Sequence, residues 1–162
     1  MYVKIVTGVI AVILVLVLGS AYHLGATVVG KQDDFEAQVR QWVQERTTVA
    51  QIDSIDEYRG NQSYAVVLGK NQAGTPVVVW LTAETVAFDS LEKAVTRESV
   101  EAAVKKGFPD GAIRHIVPGI DEKNRFWEVT LQDQQGRFHY LHYDLFTGAL
   151  LTSYVVSPKI VR

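Results

Sequence analysis

The sequence predicts an α+β chain in which an apolar amino-terminal helix precedes two tandem units. Each unit is expected to be a helix laid on an antiparallel sheet of about four strands. Three observations lead there. Residues 5–22 carry no charged side chain and are dominated by Val, Ile and Leu. Two amphipathic helices can be placed, one starting near Asp33 and one near Thr96. Two hairpins with the same order of residue types repeat at a constant offset of 62, so that Tyr64 and Gly74 correspond to Phe126 and Gly136. A period that long in 162 residues indicates a doubled module.

The apolar segment comes first. Eighteen residues at the helical rise span about 27 Å, close to a hydrocarbon core of roughly 30 Å. Lys4 is the one basic side chain ahead of it, and all 18 acidic residues lie beyond residue 30. The expected layout is therefore a cytoplasmic tip at 1–4, a single-pass transmembrane anchor at 5–24, and domains on the outer face of the cell membrane. Gly19-Ser20-Ala21 also has the small-x-small pattern of a cleaved signal peptide, although the apolar run exceeds the usual core of one. The chain has no Cys, so disulfides and thiolate metal sites are excluded. Beyond residue 30, 15 basic residues face 18 acidic ones, a net charge of −3. No basic stripe follows a phosphate backbone, which argues against nucleic acid as a partner.

In the first unit, 31–91, Asp33 is expected to cap a helix with Glu36 three residues on. Phe35, Val39, Trp42, Val43 and Arg46 make its apolar stripe. Strands are expected near 52–58, 64–69, 75–81 and 85–91. The run Val77-Val78-Val79-Trp80-Leu81 is apolar at every position, so both of its faces should be covered. The second unit, 92–157, repeats the order. Thr96 caps a helix whose inner face carries Val100, Ala103 and Val104, with Lys105, Lys106 and a C′ glycine, Gly107, closing it. Strands follow near 112–117, 125–132, 137–144 and 149–156, and residues 89–95 form the joint.

Candidate chemistry is sparse. His139 and His142 are an odd step apart in one strand, so they point to opposite faces and cannot chelate one ion. His23 and His115 stand alone. No serine lies in a Gly-x-Ser-x-Gly elbow. Carboxylates such as Asp56, Asp121, Glu122 and Asp144 sit in turn and helix contexts, where a solvated surface explains them; wall-polymer hydrolysis by paired acids is the enzymatic alternative. No glycine loop suited to phosphate is present. Asp144, Thr147 and Gly148 read as a structural turn: Asp opens it, Thr bonds the backbone, and Gly takes positive φ. Trp80, Phe138, Tyr140 and His142 are the candidates for contact with a partner or between the two units.

The second unit resembles the PepSY domain in its helix, Phe126-Trp127-Glu128-Val129, the Gly136 hairpin, and Asp144-x-x-Thr147-Gly148 followed by Ala149-Leu150-Leu151. One anchor followed by two such units resembles the TseB-like family of cell-wall elongation regulators of Gram-positive bacteria. The resemblance implies a cystatin-like fold and a non-enzymatic binding protein, without cofactor or small-molecule substrate. It also implies a class B penicillin-binding transpeptidase as partner. The PepSY pattern alone implies an alternative, an inhibitor or chaperone of an extracytoplasmic protease. The first unit departs from the pattern, since Thr82 and Val86 stand where the second has Asp144 and Gly148, so a role tied to that turn is not expected there.

Overall fold

The computed structural model describes residues 32–157. Among these no helix is long and apolar enough to cross a membrane, and the expected tip and anchor, 1–4 and 5–24, lie outside them. The chain divides into two compact units, one up to Gln41 and one from Trp42 onward. A helix, α1, runs over 32–46. Because it is already helical at residue 32, Asp33 sits in its first turn and is not its cap. Val39 and Val43 are its buried positions, while Phe35, Trp42 and Arg46 are half-buried.

The first sheet is β1 (Val49–Arg59), β2 (Ser63–Asn71), β3 (Pro76–Leu81) and β4 (Val86–Ser90), in that order and antiparallel throughout. Next comes α2 (Arg97–Gly107), and then a second sheet of β5 (Ala112–Ile120), β6 (Arg125–Gln132), β7 (Phe138–Asp144) and β8 (Leu150–Val156), again in chain order. The chain is thus α+β with two four-stranded antiparallel sheets.

The repeated turns explain the repeated registers. Asn71 Oδ1 accepts from the amides of Ala73 and Thr75, and Asp133 Oδ1 accepts from those of Gln135 and Arg137. Gly74 and Gly136 then reverse the chain at φ 81° and 76°, a region glycine enters without steric cost.

One buried cluster joins both sheets. Tyr58, Val66, Val78 and Trp80 contribute from the first; Ile116, Trp127, Val129, Leu131 and Leu141 from the second; Val100 and Val104 from α2. Side chains directly opposite in a ladder share a face. Val78 and Trp80 therefore serve the shared core, while Val77, Val79 and Leu81, also buried, lie on the other face of β3. Both faces of this strand are covered, as its unbroken apolar run predicts. Two indoles fasten the arrangement: Trp80 Nε1 donates to Pro118 O at 2.9 Å, and Trp127 Nε1 to Val95 O at 2.9 Å. Arg125 Nε meets Asp89 Oδ2 at 2.9 Å, and its guanidinium lies 5.8 Å from the Trp80 ring centre.

Three local expectations change. Thr96 does cap α2, accepting from Ser99 N, but Ala103 is exposed because it falls outside the narrow arc centred on Val100 and Val104. Gly107 is the last helical residue, not a left-handed C′; Phe108 is the C-cap, donating its amide to Val104 O and setting its ring 5.1 Å from that of His139. β5 runs on past the expected end at residue 117 to Ile120, taking in Gly119.

The turn after β3 is closer to its counterpart than Thr82 and Val86 suggest. Thr82 Oγ1 accepts from the amides of Glu84 and Thr85, as Asp144 Oδ1 accepts from those of Phe146 and Thr147. The two side chains do the same work with different oxygens. The difference lies further on: Gly148 has φ 70°, whereas no residue near Val86 takes positive φ.

Candidate binding groove

The internal repeat locates the site by where it breaks. Val66 pairs with Trp80 across β2 and β3, and at the matching register of the second sheet Glu128 pairs with His142 across β6 and β7. The first pair is apolar and fully buried. The second is an acid and a base, with the carboxylate Oε2 2.9 Å from the imidazole Nε2 and side chains only 11% and 17% exposed. Desolvating such a pair is costly, and an apolar pair suits the same backbone, as the first copy demonstrates.

The Glu128–His142 pair forms one wall of an open groove of about 540 Å³. The β1–β2 turn supplies Gly60, Asn61 and Gln62, and the β5–β6 turn supplies Asp121 and Glu122. Aromatic rings make the rest. Phe126 stacks on His142 with centroids 4.1 Å apart, and Tyr58 meets Phe126 edge-on at 5.7 Å. Tyr64 stacks beside Tyr58 at 6.4 Å, while Tyr154 stands edge-on to His142 at 6.1 Å. Two glycines make room for these rings. A Cβ on Gly60 would collide with the Tyr58 ring, and one on Gly119 with the Phe126 ring.

Charge in the groove is mainly negative. Glu128, Asp121 and Glu122 face two basic lining residues, the His142 imidazole, which meets Glu128, and Arg59, which is already paired with Glu57 at 2.6 Å. The phenol of Tyr58 feels this field: burial, and then the carboxylates of Glu128 and Asp121, push its pKa up to about 12. Tyr154 is raised by burial and by Glu128. At the back of the groove turn, Asp121 Oδ1 accepts from the amides of Lys123 and Asn124, which hold its carboxyl below the usual range despite partial desolvation. No Ser, Thr, Cys or Lys is among the lining residues. Among the described residues, no group of three His, Asp or Glu side chains could hold a metal ion. The arrangement suits recognition of a cation or of hydrogen-bonding groups against aromatic faces.

Three comparisons with known proteins bear on this architecture. Residues 40–82, from α1 through Trp80 to the turn after β3, match the cell wall elongation regulator TseB-like domain. The probable cell wall elongation regulator TseB of Bacillus subtilis (strain 168) is 25% identical over 150 residues, covering 91% of each chain. Both likenesses are to TseB-like proteins, the family match covering residues 40–82. The YpmB protein from Bacillus subtilis shares the fold, with a TM-score of 0.60 at 21% identity over 76% of this chain and 96% of that one. The TseB-like match holds the groove's first-sheet side, Tyr58 to Tyr64; its second-sheet side lies beyond the matched residues.

The residues singled out from the sequence fall in different places. Trp80 is fully buried and bonds the second sheet through Pro118. His142 lines the groove. Tyr140 stacks on Tyr154 at 5.0 Å on the same face, outside the groove lining, and Phe138 is half-buried at the far end of that strand. Asp144, Thr147 and Gly148 form the turn, with Thr147 Oγ1 donating to Asp144 Oδ1 at 2.9 Å. His139 points to the opposite face from His142, where it pairs with Asp133 at 2.8 Å. Glu128, Tyr58, Tyr64, Phe126 and Tyr154 were missed as site residues. The readable signal was the offset of 62, which aligns Glu128 and His142 with Val66 and Trp80.

Proposed function

We propose that this chain is a non-enzymatic, membrane-anchored protein that regulates cell-wall elongation through contact with a class B penicillin-binding transpeptidase outside the membrane. The likeness to a probable cell wall elongation regulator over 91% of both chains carries this reading. The uncharged run at 5–22 supports an anchor, which would hold the protein in the plane of a membrane-bound partner and raise the effective concentration of each for the other. The groove supports a binding role, since it offers aromatic faces and carboxylates in an open cleft. Cross-linking in intact cells followed by mass spectrometry tests the reading. Recovery of a penicillin-binding transpeptidase is expected; its absence, under conditions that capture other envelope complexes, would overturn it.

A further inference from the structure

The first copy of the repeat contains a cation site that the molecule fills for itself. Trp80 presents its indole to the guanidinium of Arg125 at 5.8 Å, and Asp89 holds that guanidinium by an ion pair at 2.9 Å. Aromatic face, carboxylate and cation are all in place. At the matching register of the second sheet the groove has aromatic faces and carboxylates too, around His142 and Glu128; of its two basic lining residues, Arg59 is held by Glu57 at the surface and His142 by Glu128 at the wall. The groove is therefore ring-lined with more carboxylates than bases, and neither of the two cation–π contacts among the described residues involves its tyrosine rings.

We propose that this groove takes the lysine or arginine side chain of a basic segment of the partner protein. Tyr64 and Tyr154, half-buried and 44% exposed, offer their rings to the aliphatic stem and the charged head. Glu128 lies at the inner wall and Glu122, exposed on the β5–β6 turn, at the rim, so a cation entering the groove passes from one carboxylate to the next. Burial accounts for most of the raised Tyr58 phenol, and the Glu128 and Asp121 carboxylates that add to it would attract a cation. Gly60 and Gly119, by leaving space for the Tyr58 and Phe126 rings, make the groove a feature of the fold and not of loop position.

The inference rests on the preceding reading only in that the cation belongs to a protein. The test is an NMR titration of the full chain in detergent micelles, following the rings of Tyr58, Tyr64 and Tyr154. The probes are the capped peptide acetyl-Gly-Lys-Gly-amide, its ε-acetylated counterpart, and a wall-peptide fragment with a free diamino-acid ammonium. Saturable shifts are expected with the lysine peptide and at least tenfold weaker binding with the acetylated one. Glu128→Gln and, on the exposed rim, Glu122→Gln should each weaken the lysine peptide several-fold, the rim variant guarding against misfolding. Equal binding of the acetylated peptide, or no saturable shift with the lysine peptide, would overturn the proposal. So would a wall fragment that saturates these rings where the peptide does not. Each result stands whichever enzyme cross-linking recovers, so the two readings fail separately.

Discussion

Replacing Glu128 with Val and His142 with Trp installs in the second sheet the pair found at the matching register of the first. Deleting one member of a fully buried ion pair costs about 3–5 kcal/mol, because the other charge is left unpaired. Here the side chains keep 11% and 17% exposure, so water reaches the partner left behind. Either single variant is therefore expected to lose about 1–3 kcal/mol. The double variant leaves no charge behind, and apolar replacement of such pairs is neutral or stabilising. The larger indole has room, because the pair borders an open groove of about 540 Å³. Urea unfolding followed by far-ultraviolet circular dichroism measures all four proteins. The double variant should lie within about 1 kcal/mol of the parent or above it, giving a coupling of about 2 kcal/mol between the sites. Additive losses would show that the two registers are not equivalent environments, and the reading of the groove as a specialised second copy would fall.

Trp80→Phe removes the donor that satisfies Pro118 O and should cost about 2–3 kcal/mol, with both sheets still unfolding in one transition; a biphasic curve would refute the shared core. Gly74→Ala and Gly136→Ala should each lose about 1 kcal/mol from positive φ alone, whereas Gly148→Ala should lose more because its Cβ would stand 3.2 Å from Val95 Cγ2. On the alkaline side, Tyr58 has a folded value of about 12 against an ordinary 10.0, so its contribution is complete below pH 10 and is lost as pH rises towards 12. Tyr58→Phe should flatten that loss, as read by unfolding midpoints across the range. On the acid side, His139 and Arg137 hold Asp133 far below its ordinary value of 3.8, so its contribution is present above that pH and disappears as pH falls through the folded value. Asp133→Asn should remove that part of the acid slope.

The strands were readable because each carried its own punctuation. Asn71 to Gly74 and Asp133 to Gly136 set both central hairpins, and β6 begins and ends at the predicted residues. The end of α2 was not, because Gly107 looked like a left-handed cap while the Phe108 ring, held against His139, ends the helix instead. Thr82 was misjudged by comparing residue names and not hydrogen-bonding capacity. The groove was least legible. Its walls come from β1, from two turns, and from β6, β7 and β8, and no local pattern announces that Tyr58 will meet Phe126 edge-on. Only the register inherited from the repeat connects Glu128 with His142 in the sequence, and the glycines beneath the rings take on meaning when the packing is seen.

The groove is where we propose that this protein holds a wall-synthesis enzyme. Photo-crosslinking in living cells addresses it most directly, with the reactive side chain placed at Asn61, exposed in the β1–β2 turn that lines the groove, or at Gln134, exposed in the β6–β7 turn outside it. The account predicts an adduct with a penicillin-binding transpeptidase from position 61 and none from position 134. An adduct from position 134 alone, or from neither at normal protein levels, would contradict it.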